Sequence, residues 1–202
     1  MRSRVVTLVD GSREMHYDVS QFMRQCCDRY LELAPSGTKF KQVKTPFLNE
    51  DLLPESDEAV EGHLASDASK VLMKVLYGAR MAKAELLKTV CALASLVTKW
   101  TLACDKKLCR LMCYIDSTIN HMLVGVVGKD AKVEDLCYKL YADADWAGDK
   151  KTARSASGAD GCISSKHVHF PQACKSTKQT CVSASTPVAE LVSASMAMRT
   201  LG

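Results

Sequence analysis

The hydrophobic period of this chain changes once, near residue 121, and no other feature constrains the fold as much. Between 66 and 120, apolar residues recur at three and four. Val71, Leu72, Val75, Leu76 and Ala79 form a first set. Leu86, Leu87, Val90, Cys91, Ala94, Val97 and Trp100 form a second, and Leu108, Leu111, Met112, Ile115 and Ile119 a third. That spacing collects them on one face of a 3.6-residue helix and predicts three amphipathic helices packed as a bundle. Asp67 or Ser69 stands where a cap for the first would be. From 121 the period is two. Residues 121–128 read as a strand. In 136–143, Leu136, Tyr138, Leu140 and Ala142 share one face, and Cys137, Lys139, Tyr141 and Asp143 the other. Shorter strand candidates follow at 158–164 and 168–172. Ser185-Thr186-Pro187-Val188-Ala189-Glu190 has the form of a helix start, a hydroxyl cap followed by proline, and the helix continues through Ala194, Met196, Ala197 and Met198. Helices and strands in separate blocks define an α+β chain.

The first 56 residues carry weaker signals. Residues 5–9 can form a strand, with Asp10-Gly11-Ser12 as a turn. Asp18 or Ser20 can cap a helix through Phe22, Met23, Cys26, Cys27, Tyr30 and Leu31, closed by Pro35. Pro35, Gly37, Pro46 and Pro54, with Glu50, Asp51, Glu55, Asp57 and Glu58, then read as loop or linker. The expected division is 1–56, 57–120 and 121–202.

Composition excludes several classes. With 202 residues the chain can bury a real core, and a net charge of +4 is too small to announce nucleic-acid binding by itself. The best apolar run, 90–97, is flanked by Lys88 and Lys99 and is far short of the roughly 18–20 residues of a spanning helix. Residues 5–9 are too short for a signal-peptide core. A soluble intracellular protein, cytoplasmic or nuclear, with no membrane partner, is the expectation. Its ten cysteines contain no Cys-x-x-Cys pair, and Cys109 and Cys113 fall four apart in a helical pattern. They are read as reduced thiols acting as small hydrophobes rather than as zinc ligands.

Chemistry is concentrated in Asp143-Ala144-Asp145-Trp146-Ala147-Gly148-Asp149. A calcium loop fits at its first, third, sixth and seventh positions, but Ala147 stands at the fifth and Arg154 where a bidentate Glu is needed. A solvated turn accounts for most such clusters. A third reading makes Asp143 a strand-borne magnesium ligand of a two-metal phosphodiesterase, with Glu190 as its partner in the first turn of the last helix. Ala194 and Ala197 would let that helix lie close against a sheet.

These residues carry a resemblance. Leu140-Tyr141-Ala142-Asp143-Ala144-Asp145-Trp146-Ala147-Gly148-Asp149, followed by Thr152-Ala153-Arg154-Ser155-Ala156-Ser157-Gly158, resembles the ribonuclease H segment of copia-type LTR retrotransposon Pol polyproteins. Ser176-Thr177-Lys178-Gln179 is similar to that family's Ser-Lys-Lys-Gln block. Ser185-Thr186-Pro187-Val188-Ala189-Glu190-Leu191-Val192-Ser193-Ala194 is similar to its Glu-bearing helix. Upstream, residues 72–80 and 110–115 resemble the connection between reverse transcriptase and ribonuclease H, and 45–48 the end of the polymerase part. No Tyr-x-Asp-Asp motif is present. Val188 replaces the helix block's first Glu, and Ala82-Lys83-Ala84-Glu85 replaces a Thr-Arg-Pro-Asp.

The resemblance implies a helical connection followed by a truncated ribonuclease H-like mixed sheet with a C-terminal helix. Asp143 and Glu190 would be catalytic and would bind Mg2+ in a two-metal site. The family's third and fourth carboxylates, and the strand that flanks 136–143, would lie beyond Gly202. It implies an RNA–DNA hybrid as partner, the rest of the Pol polyprotein as a possible one, and an open sheet edge prone to self-association. Between 150 and 180, Lys150, Lys151, Arg154, Lys166, Lys175 and Lys178 face a single acid, Asp160. Lys150, Lys151, Arg154, Lys175 and Lys178 are the candidate phosphate contacts. Trp146 is expected in the core, and His167 and His169 at the surface or against hybrid. The rival reading is a non-catalytic nucleic-acid- or protein-binding remnant of a degenerate element.

Overall fold

The apolar stripe of the helical region ends in a buried seam. The computed structural model describes residues 1–49, 53–149 and 152–202. One unit, formed by Asp18–His121, contains α1 (Ser20–Leu33), the single turn α2 (Ser56–Ala59), α3 (Ala68–Ala82), α4 (Leu87–Ala94) and α5 (Leu102–Ser117). Met23 from α1, Val71, Leu72 and Val75 from α3, Val90 from α4, and Leu108, Leu111 and Met112 from α5 are sealed from solvent. Each such side chain contributes about 1.5–3 kcal/mol on burial. The helix at 20–33 therefore belongs to the bundle rather than to a separate N-terminal segment. The second stripe stops at Ala94, and Val97–Lys99 is a short 3₁₀ turn before Trp100 turns extended.

Close approach sets the geometry of α1 on α3. A Cβ at Gly78 would meet Met23 Sδ at 2.5 Å, so any larger residue there requires the buried Met23 side chain to move. Asp67 makes no cap bond. Its carboxylate pairs instead with Lys70 Nζ at 2.7 Å. Asp105, in the first turn of α5, accepts from Trp100 Nε1 at 2.7 Å and from the backbone N–H groups of His63 and Leu64 at 2.5 and 3.3 Å. At the other end of α5, buried Lys83 donates to Thr118 O at 2.6 Å, supplying a donor to a helix C-terminus that has spare carbonyls. Desolvation lowers the pKa of Lys83, against the opposing pull of Glu85.

The other unit joins Arg2–Tyr17 to Met122–Gly202. Its six strands are β1 (Arg2–Thr7), β2 (Arg13–Asp18), β3 (Leu123–Val127), β4 (Cys137–Asp145), β5 (Ala156–Ser164) and β6 (Val168–Lys178), ordered β1-β2-β3-β6-β5-β4. Helix α6 (Thr186–Leu201) follows. The chain is thus an α+β protein, as its two periods indicate. The N-terminal hairpin, which sequence periodicity leaves apart, pairs with the sheet: Arg13 lies opposite Val127 and Tyr17 opposite Leu123. The sheet is antiparallel rather than mixed. A parallel neighbour needs a crossover, whereas β4, β5 and β6 follow one another as hairpins. β6 runs six residues past the expected end at 172, because the ladder resumes beyond a bulge at Gly161/Cys162, where Pro171 opposes Cys162.

Candidate functional site

β4 carries the acid cluster and is the last strand of the sheet, with β5 on one side only. Its register with β5 sets Ala142 opposite Ala159, Asp143 opposite Gly158 and Ala144 opposite Ser157. Small residues make this a flat floor, and α6 lies on it through the buried stripe Ala189, Ser193 and Ala197. The stripe falls one position from the expected Ala194, which is half-buried. Ser193 Oγ donates to Asp143 O at 2.6 Å and to Gly158 O at 3.2 Å, fixing the helix over the β4–β5 seam.

A polar network holds the start of α6. Gln179 is buried, and its Nε2 donates at 3.0 Å both to Ser157 Oγ and to Ala189 O. Its Oε1 accepts from Ser183 Oγ at 3.0 Å, and the Ser183 carbonyl accepts from Trp146 Nε1 at 3.0 Å. Trp146 is therefore not the expected core residue. The residue is 49% exposed, with its indole N–H held by the Ser183 carbonyl. Ser185 makes no side-chain cap bond, so Gln179 does the fastening that a hydroxyl cap was expected to do.

The Gln179–Ser157 bond shows which sheet face α6 covers. Ser157 and its partner Ala144 point to the helix, so by strand alternation Asp143 and Asp145 point to the opposite face. Gly158, beside Asp143, is open there: a Cβ would meet only Asp143 O, at 3.9 Å. Asp143 is exposed. Glu190 is half-buried and flanks the buried stripe of α6. It lies just past the first helical turn, which holds no acid, so the anion-favouring helix terminus is not its environment. The residue that joins the two elements is Ser193, whose small hydroxyl gives no periodicity signal.

The cations separate likewise. Lys175 lies opposite Ala159 on the helix-covered face, and Lys178 opposite Ala156 on the other. Lys178 is engaged by the Asp149 carboxylate, which also accepts from Thr152 Oγ1 at 2.8 Å. Arg154 is exposed in the loop before β5, and its carbonyl accepts from Asp149 N–H at 3.2 Å. Lys150 and Lys151 lie outside the described residues.

Carboxylates suit Mg2+, but a two-ion centre needs several converging oxygens. Asp143 and Glu190 are carried on different faces, and among the described residues no group of three or more His, Cys, Asp or Glu side chains is placed to hold a metal. These residues by themselves do not fit a two-metal site. A shallow concavity of about 560 Å3, lined by residues 59–61, 65–66 and 97–101, belongs to the helical unit and includes none of the candidate residues. Likewise among the described residues, no helix is long and apolar enough to cross a membrane. Comparison with family models, curated proteins and solved structures finds no match.

Proposed function

We propose that this chain is the connection and leading ribonuclease H portion of a copia-type Pol polyprotein, whose whole activity is Mg2+-dependent hydrolysis of RNA in RNA–DNA hybrids. One observation carries the reading. The four motif blocks, met in sequence as separate fragments, fall in order on three consecutive antiparallel strands and a helix seated over the first two. Asp143 is near the end of the first of those strands and Glu190 near the start of the helix. In this reading the two carboxylates, which this chain by itself carries on different faces, belong to one site only once further polypeptide brings them together and supplies the remaining ligands. Lys178, on the same face as Asp143, serves hybrid phosphates with Arg154, Lys150 and Lys151, while Lys175 on the helix-covered face does not.

The isolated 202 residues are then expected to lack turnover on an RNA–DNA hybrid with Mg2+. Fusing the second half of a copia-type ribonuclease H domain to the C-terminus should create cleavage that Asp143→Asn and Glu190→Gln each reduce by orders of magnitude. A well-folded fusion that stays inert overturns the proposal. So does turnover by the isolated chain that survives Asp143→Asn.

A further inference from the structure

The outer edge of β4 points to a partner of particular sequence. An edge strand of nine residues with unpaired backbone groups is a template for another strand, and proteins usually guard such edges with charge. Here the charges are placed symmetrically. Lys139 lies two residues before Tyr141 and Asp143 two residues after it, all three exposed and all on the face that α6 leaves uncovered. We propose that the edge is closed by a second copy of this chain, with β4 running antiparallel to its own mate about a two-fold axis at Tyr141.

In that register Lys139 lies directly opposite Asp143 of the second copy, and the exchange occurs twice. Tyr141, 54% exposed, meets its own counterpart. On the helix side Tyr138 faces Ala144 and Leu140 faces Ala142 of the second copy. Opposite-charge and aromatic cross-strand pairs of this kind stabilise an antiparallel ladder, whereas like charges directly opposite oppose it. A register centred on Asp143 would set two carboxylates together. One centred on Leu140 would lose the Lys139–Asp143 pairs, and one centred on Ala142 would set Lys139 against the half-buried Asp145 and Tyr141 against Asp143.

The helices agree with this arrangement. Ser193 seats α6 over the β4–β5 seam, half a strand spacing inside β4, and the axis lies half a spacing outside it. With strands about 4.8 Å apart, the strand-parallel lines through the two Ser193 contacts lie about 10 Å apart across the same face. That is within the usual helix–helix packing distance of about 8–10 Å. Continuing the sheet therefore leaves lateral room for the second α6 on that face. The inference rests on sheet topology and charge placement and concerns these 202 residues alone, since the flanking strand of the nuclease reading would occupy the same edge of β4.

The test uses the full chain carrying Cys137→Ser and Cys181→Ser, which remove the two exposed thiols. Sedimentation velocity is expected to show a reversible dimer at micromolar concentrations. Lys139→Asp and Asp143→Lys should each weaken it by about tenfold or more, and the double swap should restore it. Opposed residues of an antiparallel pair have Cα atoms about 4.5–5.5 Å apart, within disulfide range. On oxidation with glutathione disulfide, Tyr141→Cys should therefore link two chains, while Ala142→Cys should not. A monomer at every concentration overturns the proposal. Equal cross-linking at 141 and 142, or a double swap no tighter than the folded single variants, also overturns it. The cysteine readout decides the question even where a charge variant fails to fold.

Discussion

Single side chains in this protein matter most where they join elements that local sequence cannot join. Gln179 is the clearest case: one buried amide serves Ser157, Ser183 and the first turn of α6. Replacing it with Ala leaves several buried polar groups short of a partner, and each unmade bond costs about 1–3 kcal/mol. Gln179→Ala should therefore lower the urea midpoint of the sheet unit by the equivalent of about 2–4 kcal/mol. Gln179→Glu should be no milder, because a carboxylate cannot donate to Ser157 Oγ or Ala189 O. At Gly78 the mechanism is steric. Gly78→Ala drives a methyl into Met23 and should cost the helical unit about 1–3 kcal/mol, read by the ellipticity at 222 nm. The same scale explains what sequence could not reveal. Asp143 and Glu190 could be singled out because carboxylates on a strand and a helix are chemically conspicuous. Ser193 and Gln179 are polar residues in polar stretches, and their importance lies in burial. Trp146 departs from expectation for the converse reason: hydrophobicity indicates a preference for the core but not whether the turn that carries it faces inward.

Elements were legible in proportion to how much of each fold they settle locally. α3 and α5 follow from their stripes, because each buries one face against whatever lies next to it, and β4 follows from its alternation although none of its side chains is fully buried. The parts that sequence left undetermined depend on distant partners: the attachment of β1 and β2 to β3, and the extension of β6 past its bulge. α1 has a chemical consequence of its own. Burial pushes the thiol of Cys26 up to about 11 and that of Cys27 up to about 12, from an ordinary value of 9.0. Between pH 9 and 11 the unfolded chain has released protons that the folded helix still holds, so unfolding is favoured as pH rises. Each thiol can contribute at most about 1.4 kcal/mol per pH unit to that slope. The stability of the helical unit should fall steadily from pH 9 to 11. Cys26→Ala with Cys27→Ala should flatten this decline, as followed by denaturant titration at several pH values. An unchanged slope in the double variant would place the effect elsewhere.

At the scale of the molecule, the chain contributes to the sheet, leaves it for about a hundred residues to build the helical unit, and returns. Removing residues 1–17 should make β3 the edge in place of β1 and leave its outer backbone groups unpaired. The sheet unit should then melt earlier and precipitate on heating, while the helical unit keeps its ellipticity. If both units lose stability equally, the division into two cores is wrong.

The return of the chain to its own beginning also sets an order of events. Tyr17 pairs with Leu123, so the first hairpin has no neighbour until residues 123–127 exist. At roughly 5–20 residues per second, a ribosome takes about 5–20 s to make the intervening segment. The helices it builds have local contacts and fold far faster than that. Once compact, they replace a long floppy loop by a folded body whose ends leave and rejoin the sheet, which reduces the entropy lost in bringing Tyr17 to Leu123. Sheet assembly is thus the slow, final step, and the hairpin spends the whole interval as an exposed two-stranded ribbon. A chaperone that binds this nascent chain early should be found on residues 2–18.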